Sequence, residues 1–141
     1  MAGIVFYATE NHDTVVDFYR ERLGMDRWLE QPDCTILRHG NLLVGFCDRD
    51  RTDDCGIVTV VYPDSEGVDD AHDRLGDAVE EEPHENETYD IYQFFARDPD
   101  GRTVECQAFL DDDVEMPGDV ELPDDDVEPS DDDVEPSERG D

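Results

Sequence analysis

Residues 16–24, VDFYRERLG, align without a gap to residues 68–76, VDDAHDRLG, with Val, Asp, Arg, Leu and Gly at matching places. Upstream of each copy lies a short apolar run opening Gly-Ile-Val: GIVFYA from Gly3 and GIVTVVY from Gly56. Apolar residues within each copy recur at helical spacing, and each copy closes on a Gly, the residue that best tolerates a left-handed helix end. Strand-like runs follow both glycines. They are DRWLEQ, CTILRHG and NLLVGFC in the first half, then DAVEEEP, TYDIYQFFAR and RTVECQAF in the second. The turns His39-Gly40-Asn41 and Asp98-Pro99-Asp100-Gly101 separate the last two runs of each half, and their Gly, Pro, Asn and Asp content suits tight reversals. The repeat restricts the fold to two equivalent β-α-β-β-β modules, residues 3–47 and 56–109, within one α+β domain. The polar stretch CDRDRTDDC joins them.

The last run poses the functional question. Period-2 alternation puts Thr103, Glu105, Gln107 and Phe109 on one face, with Val104, Cys106 and Ala108 on the other. The small apolar face is expected to receive the helix. Glu105 then points to the opposite side, where it is a candidate ligand anchor or general base. It also has a plain structural reading, as a polar group bonded to water or to a neighbour such as Gln107. The histidines add little: His12, His39, His72 and His84 show no converging ligand spacing. Ser65, in the PDSEG loop, is expected to cap the second helix.

Charge limits the partners. The 141 residues carry 42 acids against 10 basic residues, all of them Arg, for a formal charge of -32. Nucleic acid and anionic membrane both require a cationic surface, so neither is expected as a partner. The patterning of residues 1–110 argues against a disordered acidic protein. A folded protein from a high-salt cytoplasm fits better, because the Debye length is only about 3 Å at 1 M salt and carboxylates then repel weakly. A cytoplasmic location is expected, since MAGIVFYATENHD lacks a basic signal region. Cys34, Cys47, Cys55 and Cys106 contain no C-x-x-C pair, and reduced thiols are expected, with Cys34, Cys47 and Cys106 buried in strands. Residues 111–141 hold 16 acids and one Arg, with DDDVEPS at 124–130 and again at 131–137. This composition implies a solvated, disordered acidic tail.

The paired modules, together with DFYRERLGM at 17–25 and FFARDPDGRTVE at 94–105, resemble the vicinal oxygen chelate superfamily. That superfamily includes glyoxalase I, bleomycin-resistance proteins, fosfomycin-resistance enzymes and extradiol dioxygenases. The resemblance covers residues 3–109. It implies that the strands of the two modules curl into a cup with the helices outside, and that a small molecule binds in the cup. It also implies four inward positions for a metal, one near the start of each module and one acid on each final strand. Glu105 matches the second acid; the others fall at Gly45 and near Ile4 and Ile57, or at Gly3, Val5, Gly56 or Val58 after a one-residue slip. A lone carboxylate is a poor divalent site, so no cofactor is expected.

On this resemblance the cup is expected to be lined by Phe6, Leu43, Cys47, Thr59, Glu105 and Gln107, with Tyr89, Tyr92 and either Phe94 or Phe95 according to register. The expected function is metal-independent small-molecule binding of the bleomycin-resistance type. A metal-dependent lyase or dioxygenase acting through Glu105 is the alternative, and a non-catalytic interaction module is a further one. A homodimer is expected, because sharing modules between copies would cover edge strands.

Overall fold

A computed structural model describes residues 2–123; the tandem DDDVEPS repeats lie outside the described residues. The first module runs β1 (Ile4–Thr9), α1 (His12–Glu21), β2 (Asp26–Gln31), β3 (Cys34–His39) and β4 (Leu42–Asp48). The second repeats it: β5 (Ile57–Val61), α2 (Ser65–Leu75), β6 (His84–Asn86), β7 (Ile91–Arg97) and β8 (Thr103–Phe109). Each module makes its own four-stranded sheet, ordered β1-β4-β3-β2 and β5-β8-β7-β6. The first strand of each is parallel to the last, and all other pairings are antiparallel. The helix-ending glycines, Gly24 and Gly76, take φ of 72° and 57°, the left-handed region where a side chain is strained. Asp64, not Ser65, caps α2: its carboxylate accepts from the Gly67 amide at 3.0 Å.

The strand expected at DAVEEEP does not form. Gly76–Ala78 is a 3-10 turn, Val79 makes one isolated bridge to Ala96, and β6 comes only after Pro83. Three successive glutamates oppose close pairing by charge, and Pro83 has no amide to donate. The following strand opens at Ile91, because the side-chain oxygen of Asn86 accepts the Thr88 and Tyr89 amides and turns the chain there.

Both helices pack on one face of their sheets, and the two modules share a single core. Val15, Tyr19, Leu37, Val44 and Phe46 meet Val58, Val60, Leu75, Phe94, Val104 and Cys106 in it. The Asp98–Gly101 turn locks the modules together. Arg102, which follows it, is fully buried and donates to the Asp53 carbonyl, to Asp98 at 2.6 Å and to Asp100 at 3.1 Å. Its guanidinium lies 4.7 Å from the Tyr7 ring centroid and 5.4 Å from that of Phe46, close enough for cation–π attraction. Tyr19 donates to Asp98 at 2.7 Å, and Thr9 to Asp100 at 2.6 Å. The helix ends are tied as well: Arg22 donates to the Leu75 carbonyl and Arg74 to that of Arg22.

Two expectations give way. Cys34 and Cys47 are not reduced thiols; they face each other across β3 and β4 and form a disulfide. They lie 13 residues apart in sequence, and only the register of this hairpin brings them together. Cys106 is a buried free thiol and Cys55 an exposed one. Residues 111–123, assigned above to the solvated tail, return to the first module. The Val120 amide donates to the Gly40 carbonyl at 2.9 Å. Arg38 donates to the Val120 carbonyl and the Trp28 indole to that of Glu121, both at 3.0 Å. Among the described residues, no helix is long and apolar enough to cross a membrane.

Candidate functional site

With the helices on one face, the other face of each sheet stays open. On the second sheet it presents Thr59, Glu105 and Phe95 side by side, followed by Gln107 beside Gln93 and Phe109 beside Ile91. Asn86, Tyr89, Ile91, Gln93, Phe95, Glu105, Gln107 and Phe109 line a cleft of about 500 Å³ here. That volume is in the range of small-molecule sites, roughly 300–1,000 Å³.

Glu105 is partly buried and held from both sides. One carboxylate oxygen accepts from the Thr59 hydroxyl at 3.1 Å, and the other from the Gln93 side-chain amide. Gln93 in turn accepts from the Asn86 amide at 2.7 Å. Asn86 is anchored by the Thr88 and Tyr89 backbone. The chain of bonds therefore fixes Gln93 with its amide nitrogen toward Glu105. A carboxylate offers about four acceptor positions, so each oxygen keeps capacity for a ligand.

The equivalent place on the first sheet is built differently. Phe6 is the register partner of Gly45, as Thr59 is of Glu105. A Cβ on Gly45 would lie 2.5 Å from Cδ1 and Cε1 of Phe6, so the aromatic ring occupies the space that an acid would need. Ile4 and Ile57, at the module starts, carry hydrocarbon side chains and are exposed. Among the described residues, no three His, Cys, Asp or Glu side chains are grouped to hold a metal. The residues at the four family positions do not fit a metal ion.

Two expected lining residues face the wrong way. Phe94 is fully buried in the core opposite Cys106, and the Tyr92 hydroxyl donates to Asp69 of α2. The register of β7 on β8 sets Phe95 against Glu105, so Ile91, Gln93 and Phe95 take the open face. Leu43 and Cys47 lie on the open face of the first sheet, but Leu43 is buried and Cys47 is bound to Cys34. Thr59 and Gln107 lie on the same open face as Glu105. Tyr89 lines the cleft, whereas Asn86 and Gln93 were not foreseen. Period-2 alternation from Phe95 would have found Gln93, whereas no local signal marks Asn86.

A second cleft, of about 530 Å³, lies between the modules; Arg38, His39, Thr59, Val61 and residues 114–117 contribute to its walls. Burial, then the neighbouring Arg38 charge, lowers the His39 pKa from its usual 6.5, so the folded chain favours the neutral ring. His39 stacks edge-on against Tyr62, with centroids 5.3 Å apart.

No family model matches the sequence, and no curated protein does. Solved structures do match. A lactoylglutathione lyase from Agrobacterium tumefaciens superposes with a TM-score of 0.62 at 20% identity, over 77% of this chain and 92% of that one. A glyoxalase/bleomycin resistance protein/dioxygenase family enzyme from Burkholderia phytofirmans PsJN gives 0.65 at 17%, over 76% and 97%. A protein described in the same terms from Alicyclobacillus acidocaldarius gives 0.65 at 17%, over 79% and 93%. The paired β-α-β-β-β modules and these superpositions establish that the chain has the glyoxalase/bleomycin resistance/dioxygenase fold.

Proposed function

We propose that this chain binds a small molecule on its open sheet faces without a metal, with Glu105 as the polar anchor. The observation that carries the reading is the asymmetry between equivalent positions. Phe6 lies over Gly45 in one module, while Thr59 and Gln93 hold a carboxylate in the other. One sheet supplies an apolar wall and the other a hydrogen-bonding floor, the combination expected of a small-molecule pocket. The functional unit is a homodimer in which the open face of one copy covers that of another. Ile4, Val5, Phe6 and Ile57, on the edge strands β1 and β5, expose apolar surface that such pairing would bury.

The test is metal retention. Full-length protein is equilibrated with Zn²⁺, Ni²⁺, Mn²⁺ or Fe²⁺ in molar salt and dialysed, alongside Glu105→Gln, and bound metal is counted. The expected result is the same metal content for both proteins. About one tightly held ion per chain, lost in Glu105→Gln, would instead establish the lyase or dioxygenase reading.

A further inference from the structure

The lining of the Glu105 cleft specifies a class of ligand. Among the described residues its only charged side chain is Glu105, and no Arg or His lines it. Arg97, two residues from Phe95 on the same strand, is held away by Glu80 at 2.7 Å and the Gly101 carbonyl at 2.9 Å. No cationic group within the described residues forms an ion pair with Glu105. Thr59 and Gln93 orient the carboxylate but leave its charge uncompensated.

The walls complete the pattern. Tyr89 is 70% exposed and Phe109 38%, and with Phe95, the cross-strand partner of Glu105, they put three aromatic rings in the same cleft as the carboxylate. Aromatic faces attract cations, most strongly where water is partly excluded. The whole-molecule charge of -32 draws cations toward the surface and repels anions. A neutral donor could satisfy the hydrogen bonds of Glu105 but would leave both the charge and the ring faces unused.

We propose that the ligand of this cleft is an organic ammonium ion, its nitrogen on the Glu105 carboxylate and its carbon body against Tyr89, Phe95 and Phe109. The proposal rests on the small-molecule reading above and deepens it. It can be tested with four probes of one shape: benzylammonium, benzyltrimethylammonium, benzyl alcohol and benzoate. They are titrated into the full-length protein at one fixed salt concentration, while the side-chain amide NMR signals of Asn86, Gln93 and Gln107 are followed.

Both ammonium probes are expected to shift these signals and to bind at least 10-fold more tightly than the alcohol, with benzoate weakest. Glu105→Gln is expected to cost benzylammonium at least 10-fold. It removes one acid of 42, so such a loss cannot come from the general surface charge. Tyr89→Ala, at an exposed position that folding does not require, is expected to weaken benzyltrimethylammonium at least 3-fold and keeps the test decisive if Glu105→Gln fails to fold. Equal binding of all four probes, or ammonium binding unchanged in these variants, overturns the cation assignment and leaves the small-molecule reading standing. Amide signals unmoved by every probe overturn both.

Discussion

Arg102 is where single residues matter most to this fold. A guanidinium out of contact with water is tolerated only because carboxylates, a carbonyl and two ring faces surround it. Arg102→Met removes the counter-charge and leaves Asp98 buried with neutral donors, so we expect a loss of about 3–5 kcal/mol in chemical unfolding. A loss below about 1 kcal/mol would show that the turn is not the lock between modules. Protonation acts at the same scale. Burial pushes the Cys106 thiol up from 9.0 to about 12; burial, and then Asp98, also raises the Tyr19 phenol. A raised pKa means that the folded chain keeps protons the unfolded chain releases. The resulting stability is complete below pH 9 and is lost as pH climbs toward 12. Cys106→Ala should therefore make the decline between pH 9 and 10 shallower, as read from urea midpoints. An unchanged slope would count against a thiol contribution.

Among the elements, the segment after β8 behaves least as its composition suggests. Residues 111–123 are rich in acids, yet the backbone of Val120 and Glu121 meets Gly40, Arg38 and Trp28. It crosses from the second sheet to the first and walls part of the cleft between them. Trp28 is the only tryptophan, so its emission reports on this docking. A chain ending at Leu110 should show red-shifted tryptophan emission, as the indole loses the Glu121 carbonyl and gains water, while a chain ending at Pro123 should match full length. Identical spectra for all three chains would mean that the segment does not dock in solution.

For the molecule as a whole, the open faces and the charge act against each other. Exposed Ile4, Val5, Phe6 and Ile57 favour pairing of copies, whereas -32 on each chain opposes it. Salt decides the balance, because the Debye length shrinks from about 30 Å at 0.01 M to about 3 Å at 1 M. Light scattering is expected to give a dimer mass in molar KCl. Circular dichroism is expected to show unfolding on dilution to about 0.01 M salt, where the carboxylates repel across the surface. A single-chain mass at all concentrations in molar salt would refute the dimer, and a salt-independent spectrum the halophilic reading.

What could be read from the chain alone were the properties carried by local pattern. The repeat at 16–24 and 68–76, the glycines after each helix and the Asp98–Gly101 turn identify two β-α-β-β-β modules. Strict alternation in RTVECQAF correctly puts Glu105 on the face away from the helix. Alternation fails in IYQFFAR, where adjacent Tyr92 and Gln93, or Phe94 and Phe95, suit either face. Only pairing with β8 settles that Phe94 enters the core and Phe95 the site. The Cys34–Cys47 bond, Phe6 over Gly45 and the Asn86–Gln93–Glu105 relay share that dependence. Each joins residues on different strands or across a turn, and a contact of that kind has no periodicity along the chain. Its partners are chosen by strand register, which is set when the shared core packs.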